Sequence, residues 1–251
     1  MNKIDTTARL GAGVEVGFFS VIGAHVQIGS NVTIGNNVTI YEGSIIGSGV
    51  RIDDNTVVGK MPMRAATSAN PDVAAELEPA SVGEGCIVGT HVVIYRGCKL
   101  GKECLVADLA TIRENVTVGN KTIIGRNVAI ENHCKVGSYC KLETNSYITA
   151  WSELGDHVFV APGVVTTNDN FAGRGEKRFE QFKGVIVKYG GRIGANATIL
   201  PGRTIGEQGF AAAGAVVTKD VPAQKIVIGS PAKVVRSVPS DQLLPSNKGK
   251  K

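Results

Sequence analysis

The sequence of 251 residues predicts an all-β protein, a parallel β-solenoid (β-helix) of about ten triangular coils. Three observations support this prediction. A large apolar residue recurs every six positions, from Leu10 to Val58, from Val82 to Val160 and from Val187 to Val217. The residue two positions earlier is usually Val, Thr, Ser or Cys, and in more than half of the repeats the residue that follows is Gly.

Six residues suffice for a short extended piece and a bend. Side chains alternate along an extended segment, so the apolar residue and the residue two before it both point inward. A following Gly can turn the corner without a steric penalty from a Cβ atom. Three repeats, or 18 residues, then close one coil, and each coil stacks on the last at a spacing of roughly 4.8 Å.

Two insertions and a C-terminal segment depart from the repeat. Residues 59–81 contain three prolines, yet the apolar positions on either side, Val58 and Val82, remain in phase, which indicates a loop extruded from one corner. Residues 168–184 form a second and more basic loop. We therefore expect one β-helix domain over residues 1–222, and a C-terminal extension over residues 223–251 with a short helix at Ser240–Leu244 and a polar tail from Asn247.

Composition narrows the possible functions. A net charge of +5, without a basic block or interleaved aromatic residues, argues against nucleic acid binding. No apolar run is long enough to span a membrane, and the N-terminus has no apolar signal core, so a cytoplasmic protein without a membrane partner is expected. The cysteines all fall at the small inward position, where they would be core residues rather than metal ligands or disulfides: Cys86, Cys98, Cys104, Cys134 and Cys140.

The four histidines, His25, His91, His133 and His157, all occupy the fourth position of a repeat, an outward corner. Counted in steps of 18, the last three lie at three different corners, which excludes a three-histidine zinc site within one subunit but not one between subunits. No metal is expected. A carbonic-anhydrase-like metal trimer is the least favoured function.

One corner collects residues of possible chemical use. The third repeat positions there should form one stacked column: Arg96, Glu114, Asn132, Ala150 and Asn168. The same wall is expected to be flanked by Glu131, His133, Glu143, Asn145 and Trp151. Asn168 opens the second loop, whose cations could meet phosphate oxygens of a ligand: Arg174, Lys177, Arg178 and Lys183.

The repeat resembles the left-handed β-helix acyltransferases, the hexapeptide transferases. The segments that carry the resemblance are VFVAPGVVTTNDN (158–170) and the C-terminal GSPAKVVR, within residues 194–236. The TTNDN turn and its loop most resemble the nucleotide-sugar N-acetyltransferases, which acetylate an amino group on a UDP- or dTDP-linked deoxysugar. The resemblance implies a left-handed coil, a homotrimer with active sites between subunits, and acetyl-CoA as the donor.

The resemblance also implies roles for individual residues. Asn168 would hold the amine, with Asn132 and His133 beside it. The nucleotide-sugar site would include Glu143, Asn145, Asp169, Arg174, Lys177 and Arg178. The CoA site would include Ala212, Ala213, Gly214, Lys219, Pro231, Lys233 and Arg236.

His133 departs from the family pattern. Relatives that use a histidine base carry it at the third repeat position, and here the histidine stands one place later, after Asn132. Either His133 has no catalytic part, or the backbone shifts it into the cleft. The branch that acts on 3-amino sugars, which needs no protein base, fits better. The alternative is a CoA-dependent acyltransferase for a hydroxyl group or an amino acid, with His133 as its base.

Overall fold

A computed structural model of the protein describes residues 1–63 and 76–245. The chain forms a parallel β-solenoid with three sheets, which confirms the predicted fold class. From Lys3 to Val217, consecutive strands belong to the three sheets in turn. Each sheet is ten to twelve strands high.

The first sheet contains β1 (Lys3–Ile4), β4 (Val21–Ile22), β7 (Thr39–Ile40), β10 (Val57–Lys60), β13 (Val93–Tyr95), β16 (Thr111–Ile112), β19 (Ala129–Ile130), β22 (Tyr147–Ile148), β25 (Val165–Thr166), β28 (Thr198–Ile199) and β31 (Val216–Val217). The second contains β2 (Arg9–Leu10), β5 (Gln27–Ile28), β8 (Ile45–Ile46), β11 (Ser81–Val82), β14 (Lys99–Leu100), β17 (Thr117–Val118), β20 (Lys135–Val136), β23 (Glu153–Leu154), β26 (Ile186–Val187) and β29 (Thr204–Ile205). The third contains β3 (Glu15–Val16), β6 (Thr33–Ile34), β9 (Arg51–Ile52), β12 (Ile87–Val88), β15 (Leu105–Val106), β18 (Ile123–Ile124), β21 (Lys141–Leu142), β24 (Phe159–Val160), β27 (Arg192–Ile193), β30 (Phe210–Ala211), β32 (Lys225–Ile228) and β33 (Lys233–Ser237).

Strand register shows that both insertions leave the stack in phase. Val82 pairs with Ile46 below it and with Leu100 above it, although residues 59–81 intervene in the chain. After the second loop, Val187 pairs with Leu154 in the same way. The loops are therefore extruded from corners, as the phase of the repeat predicts. Residues 64–75 of the first loop, with Pro71, lie outside the described residues.

The interior holds one large and one small residue per strand, and the repeated apolar side chains are almost fully buried from Ile22 to Val217. The five cysteines are free and buried, which confirms their predicted place in the core. Their thiols donate to carbonyl groups of the next coil, as from Cys98 Sγ to the Arg113 oxygen at 2.9 Å. Burial raises the pKa of Cys98 to about 12, so this thiol stays protonated at neutral pH.

The fourth position of a repeat lies at a corner with positive φ, and this explains which residues occur there. His25, His91, His133 and His157 have φ between 57° and 60°. Asn and His tolerate this left-handed conformation better than most residues, so corner histidines need no catalytic reason. Trp151, with φ 60°, is a bulky residue in the same conformation and is therefore unusual.

The C-terminal segment closes the stack. β33 pairs antiparallel with β32, and a 3-10 helix at Ser240–Gln242 lies within the segment where a short helix is predicted. Gln208 then holds Leu244 through two hydrogen bonds, at 2.6 and 3.3 Å. The tail from Asn247 lies outside the described residues. Within residues 1–63 and 76–245, no helix has the length and apolar character needed to cross a membrane.

Candidate functional site

A cleft of about 360 Å³ lies at one corner of the solenoid, between the two extruded loops. The corner follows β16, β19, β22 and β25 of the first sheet, and the residues lining the cleft are Met63, Arg113, Glu114, Glu131, Asn132, Tyr147, Thr149, Ala150, Trp151, Asn168, Asp169, Arg178 and Phe182. Met63 comes from the first loop and Phe182 from the second. The solenoid therefore supplies the floor of the cleft and the loops supply its sides.

The cleft contains two carboxamides from the predicted column. Asn132 is 8% exposed and Asn168 is half-buried. Their backbone oxygens are used by the fold: that of Asn132 accepts from the Trp151 amide at 3.1 Å, and that of Asn168 accepts from the Lys183 amide at 3.1 Å. Neither side-chain amide has a hydrogen bond to another described residue. Both are therefore available to a ligand.

Beside these amides lies an ionic group. The Arg113 guanidinium donates to both carboxylate oxygens of Glu114, at 2.8 and 3.1 Å, and to Glu131 Oε2 at 3.4 Å. Glu114 is 2% exposed, so its charge is compensated by this bidentate pair. The guanidinium also lies over the Tyr95 ring, 5.1 Å from its centre. Burial alone would lower the pKa of Arg113. The two neighbouring carboxylates have the larger combined effect, so the pKa of Arg113 is raised.

The second loop places a cation at the opposite side. It contains α1 (Arg178–Gln181), and Arg178 lies 3.4 Å from Asp169. Partial burial would raise the pKa of Asp169, but hydrogen bonds from the Phe171 and Gly173 amides and the charge of Arg178 lower it. The Asp169 carboxylate is thus committed to the loop's own backbone. It organises the loop that presents Arg178 and Phe182.

An aromatic stack forms one wall. The Trp151 ring stacks with the His133 ring, 6.2 Å away, and with the Phe182 ring, 5.9 Å away, and is nearly parallel to both. Arg178 lies over Phe182 at 5.8 Å. Flat faces of this kind suit the planar base or the sugar ring of a ligand. His133 itself does not line the cleft.

The structure brings together only some of the predicted site residues. Asn132, Asn168, Asp169 and Arg178 share the cleft, as do Glu114 and Ala150 of the predicted column. Arg96, the fifth member of that column, instead donates to the Leu77 and Glu42 carbonyls, at 2.8 Å each. Arg174 and Lys177 are exposed on the second loop, away from the cleft lining.

Glu143 and Asn145 lie at a different corner, which follows the third sheet. Asn145 there accepts from the Asn127 side chain at 2.8 Å. Higher on the same corner are Ala212, Ala213 and Gly214, which follow β30. The remaining predicted CoA residues, Lys219, Pro231, Lys233 and Arg236, are exposed near or on the closing hairpin.

Five cleft residues were not predicted from the sequence: Met63, Arg113, Tyr147, Thr149 and Phe182. A signal existed for Arg113, because residues 18 apart stack on adjacent coils, and Glu131 stands 18 positions after Arg113. Within the two described ranges, no group of three His, Cys, Asp or Glu side chains is arranged to hold a metal ion.

Comparison with known proteins gives two family models. "Bacterial transferase hexapeptide (six repeats)" matches residues 7–42, and "Hexapeptide repeat of succinyl-transferase" matches residues 25–60 and 79–107. The O-acyltransferase of UDP-N-acetylglucosamine from Moraxella catarrhalis has a similar structure, with a TM-score of 0.52 and 17% identity over 94% of this chain and 73% of that one. At that identity the similarity concerns the fold alone.

Two curated relatives come from Staphylococcus aureus. A protein named as an acetyltransferase is 42% identical over 77 residues, 31% of this chain and 37% of the relative. The 2,3,4,5-tetrahydropyridine-2,6-dicarboxylate N-acetyltransferase is 52% identical over 52 residues, 21% of this chain and 22% of the relative. The matches thus span well under half the length of either relative. The repeat and the solenoid nevertheless agree with the family models, which match the hexapeptide repeat of transferases over residues 7–60 and 79–107.

Proposed function

We propose that the protein is an acetyl-CoA-dependent N-acetyltransferase for the amino group of a nucleotide-linked amino-deoxysugar, with a 3-amino sugar favoured. The observation that carries the proposal is the pair of unengaged carboxamides, Asn132 and Asn168, in one cleft beside an aromatic wall. An amide oxygen can accept a hydrogen bond from an amine and hold its lone pair toward an acyl donor. Positioning of this kind supplies much of the rate in acyl transfer.

The donor site is proposed at the corner that follows β30. A Cβ atom added at Gly214 would meet no other atom within 4 Å, so a thin pantetheine arm has room along Ala212–Gly214. Lys219, Lys233 and Arg236 are exposed cations that can meet the phosphates of CoA. Bound acetyl-CoA would supply the acetyl thioester. The S. aureus relatives, which are named as acetyltransferases, support this choice of donor.

The acceptor site is proposed in the cleft itself. The stacked rings of Trp151 and Phe182 offer flat faces to a base or a sugar. Arg178 lies beside them, and the exposed Arg174 and Lys177 extend the positive charge along the loop. A nucleoside diphosphate can use both features, because its base can stack on an aromatic face and its phosphates can contact the cations.

The two half-sites lie on different corners of one subunit. A complete site therefore requires that the cleft corner of one copy face the corner of Ala212–Gly214 on another, and a homotrimer would repeat this arrangement three times. Light scattering should give a trimer mass at micromolar concentration. A monomer mass would contradict both the trimer and the shared site.

The function is tested with purified protein. Thermal shift with acetyl-CoA and with UDP- and dTDP-linked amino-deoxysugars shows which ligands bind, because a ligand of the native state raises the midpoint of unfolding. Acetyl transfer to each sugar is then followed by release of the CoA thiol. We expect transfer to an amino sugar and not to the matching hydroxyl sugar. Transfer to hydroxyl acceptors alone would favour the O-acyltransferase alternative.

Complementation tests the shared site. Asn168→Ala damages the cleft half, and Ala213→Trp fills the donor half. Each variant alone should be inactive or nearly so. When the two variants are coexpressed at equal levels, their subunits mix at random in the trimer. About a quarter of the subunit interfaces then combine the intact cleft of one variant with the intact donor corner of the other, so about a quarter of the wild-type activity should return. No recovery would place both halves within one subunit.

A further inference from the structure

The cleft has one more carboxylate than cations among its described lining residues. The carboxylates are those of Glu114, Glu131 and Asp169, and the cations are Arg113 and Arg178. Asp169 is engaged by its own loop and by Arg178. Glu114 takes the bidentate contact of Arg113. Glu131 is therefore the carboxylate whose charge is least compensated.

The geometry at Glu131 leaves it room for a ligand. Its contact with Arg113 is long, 3.4 Å between Nη1 and Oε2. Its side chain is 25% exposed, and it opens onto the same cleft as Asn132 and Asn168. A carboxylate that accepts one weak hydrogen bond retains most of its acceptor capacity. A ligand with several N–H donors can use that capacity.

The surroundings of Glu131 disfavour an uncompensated charge. Burial raises the pKa of Glu131, Arg113 lowers it, and the charge of Glu114 raises it further. The titratable and charged groups that face it from the neighbouring elements are Arg113, Glu114, Cys134 and Tyr147, with Asp169 and Arg178 across the cleft. An incoming cation would relieve this imbalance, whereas a neutral hydroxyl group would not.

We propose that Glu131 binds the acceptor's amino group as an ammonium ion and takes the proton that the nitrogen must lose before it attacks. Glu131 is then the residue that selects amines over hydroxyl groups. This role rests on the proposed N-acetyltransferase function. It departs from the base-free reaction that the family resemblance implies, and it does not use His133.

The proton and bond changes balance. The ammonium gives one proton to the Glu131 carboxylate, and the neutral nitrogen forms a bond to the acetyl carbon. The carbon–sulfur bond breaks, and the departing thiolate takes a second proton from the nitrogen. Glu131 returns its proton to water. The net products are the N-acetyl sugar, the CoA thiol and one proton.

The pH dependence of wild-type kcat/KM distinguishes the two routes without any variant. If Glu131 binds and deprotonates the ammonium form, kcat/KM is flat between the pKa of Glu131 and that of the amine, and falls on both sides. If only the free amine reacts, kcat/KM rises with pH until the amine is neutral and then levels off. A rise of that second kind would overturn the role of Glu131.

Variants give an independent test. Glu131→Gln should lower kcat/KM for the amino sugar about 100-fold, within the range expected for a positioned base. The acid limb of the profile should disappear, and the calorimetric Kd of acetyl-CoA should stay within twofold. Glu131→Asp, which keeps the charge, should recover part of the activity. Glu84→Gln is the matched control, because Glu84 pairs with Lys102 outside the cleft, and it should behave as wild type.

The outcomes separate the two proposals. An active wild type, with Glu131→Gln within threefold of it, would overturn the role of Glu131 alone. A wild type that acetylates no sugar of the panel would overturn the proposed function, and the role of Glu131 with it. If Glu131→Gln does not fold, which circular dichroism shows, the wild-type pH profile and Glu131→Asp decide.

Discussion

The Trp151 indole lies parallel to the His133 imidazole, with the ring centres 6.2 Å apart. The two residues are 18 positions apart and occupy the same left-handed corner position on adjacent coils, each with φ 60°. The Phe182 ring also stacks with the indole, with the ring centres 5.9 Å apart. The imidazole is thus one layer of an aromatic stack along the corner, and it lies behind the cleft wall rather than in the cleft.

His133→Asn should therefore keep most of the activity, within about tenfold of wild type, since a positioned general base is typically worth 10²–10⁴-fold. Asn tolerates the positive φ of this corner, so the backbone should not change. Steady-state kinetics across pH tests the prediction. A hundredfold loss, together with loss of an ionisation near pH 6.5, would make His133 the base and favour a hydroxyl acceptor.

Asn168→Ala should reduce turnover at least tenfold, which corresponds to about 1.4 kcal/mol of transition-state stabilisation. The side-chain amide has no partner among the described residues, so its removal should leave the fold intact. Kinetics with saturating acetyl-CoA measure the effect, and thermal unfolding checks stability. Asn127→Gly, at another corner, is a suitable control because the Asn127 amide bonds only to Asn145 in the described chain and glycine tolerates the φ of 54° at this position. Unchanged kinetics for Asn168→Ala would remove this residue from the site.

The repeat determines which features the sequence could predict. Inward and outward positions follow from a period of six and coil contacts from a period of 18, so the strands, their register and the stacked column from Glu114 to Asn168 are predictable. The charge pairs obey the same rule: Glu84 with Lys102, and Lys135 with Glu153, are also 18 apart. Applied to Arg113 and Glu131, the rule would have found the ionic group as well.

The positions of the loop side chains could not be predicted in this way, because no sequence period relates the loops to the coils. Phe182 reaches the cleft only because the second loop folds back over Trp151. Asp169 looks like a ligand residue in the sequence, but its carboxylate caps amides of its own loop. Glu143 and Asn145 are near His133 in sequence, yet two further strands, β20 and β21, carry them to another corner. Proximity along the chain is therefore a poor guide to a shared site in a solenoid.

Asp169→Ala should loosen the second loop and weaken acceptor binding. The carboxylate accepts from the Phe171 amide at 2.7 Å and from the Gly173 amide at 2.9 Å, and the alanine variant loses both bonds. Hydrogen exchange at residues 171–173 should become faster, and KM for the acceptor should rise, with little change in global stability. Unchanged exchange at these amides would show that the loop does not depend on the carboxylate.

The same carboxylate gives the loop a pH dependence. The pKa of Asp169 is lowered in the folded loop, so its stabilising effect is complete above the ordinary value of 3.8 and is lost as the pH falls through the lower folded pKa. Exchange at residues 171–173, corrected for intrinsic rates, should therefore show constant protection from neutral pH down to about 4 and less protection below it. Protection lost already at pH 6 would point to another group.

Gly184→Ala should disturb the cleft wall, although Gly184 does not line the cleft. A Cβ atom at Gly184 would collide with the backbone of Trp151 and Ser152, where the second loop rejoins the coil. Backbone atoms cannot rotate away, so the loop end or Trp151 must shift, and the stack of Trp151 on Phe182 should open. We expect a loss of stability in the range of about 1–3 kcal/mol for overpacking, a change in Trp151 fluorescence and a higher KM for the acceptor. Lys183→Ala is the matched control, because the neighbouring Lys183 side chain is exposed. This variant should leave the Trp151 fluorescence and the stability unchanged. If Gly184→Ala matched that control, the close approach of loop and coil would not be what holds Trp151 in the cleft wall.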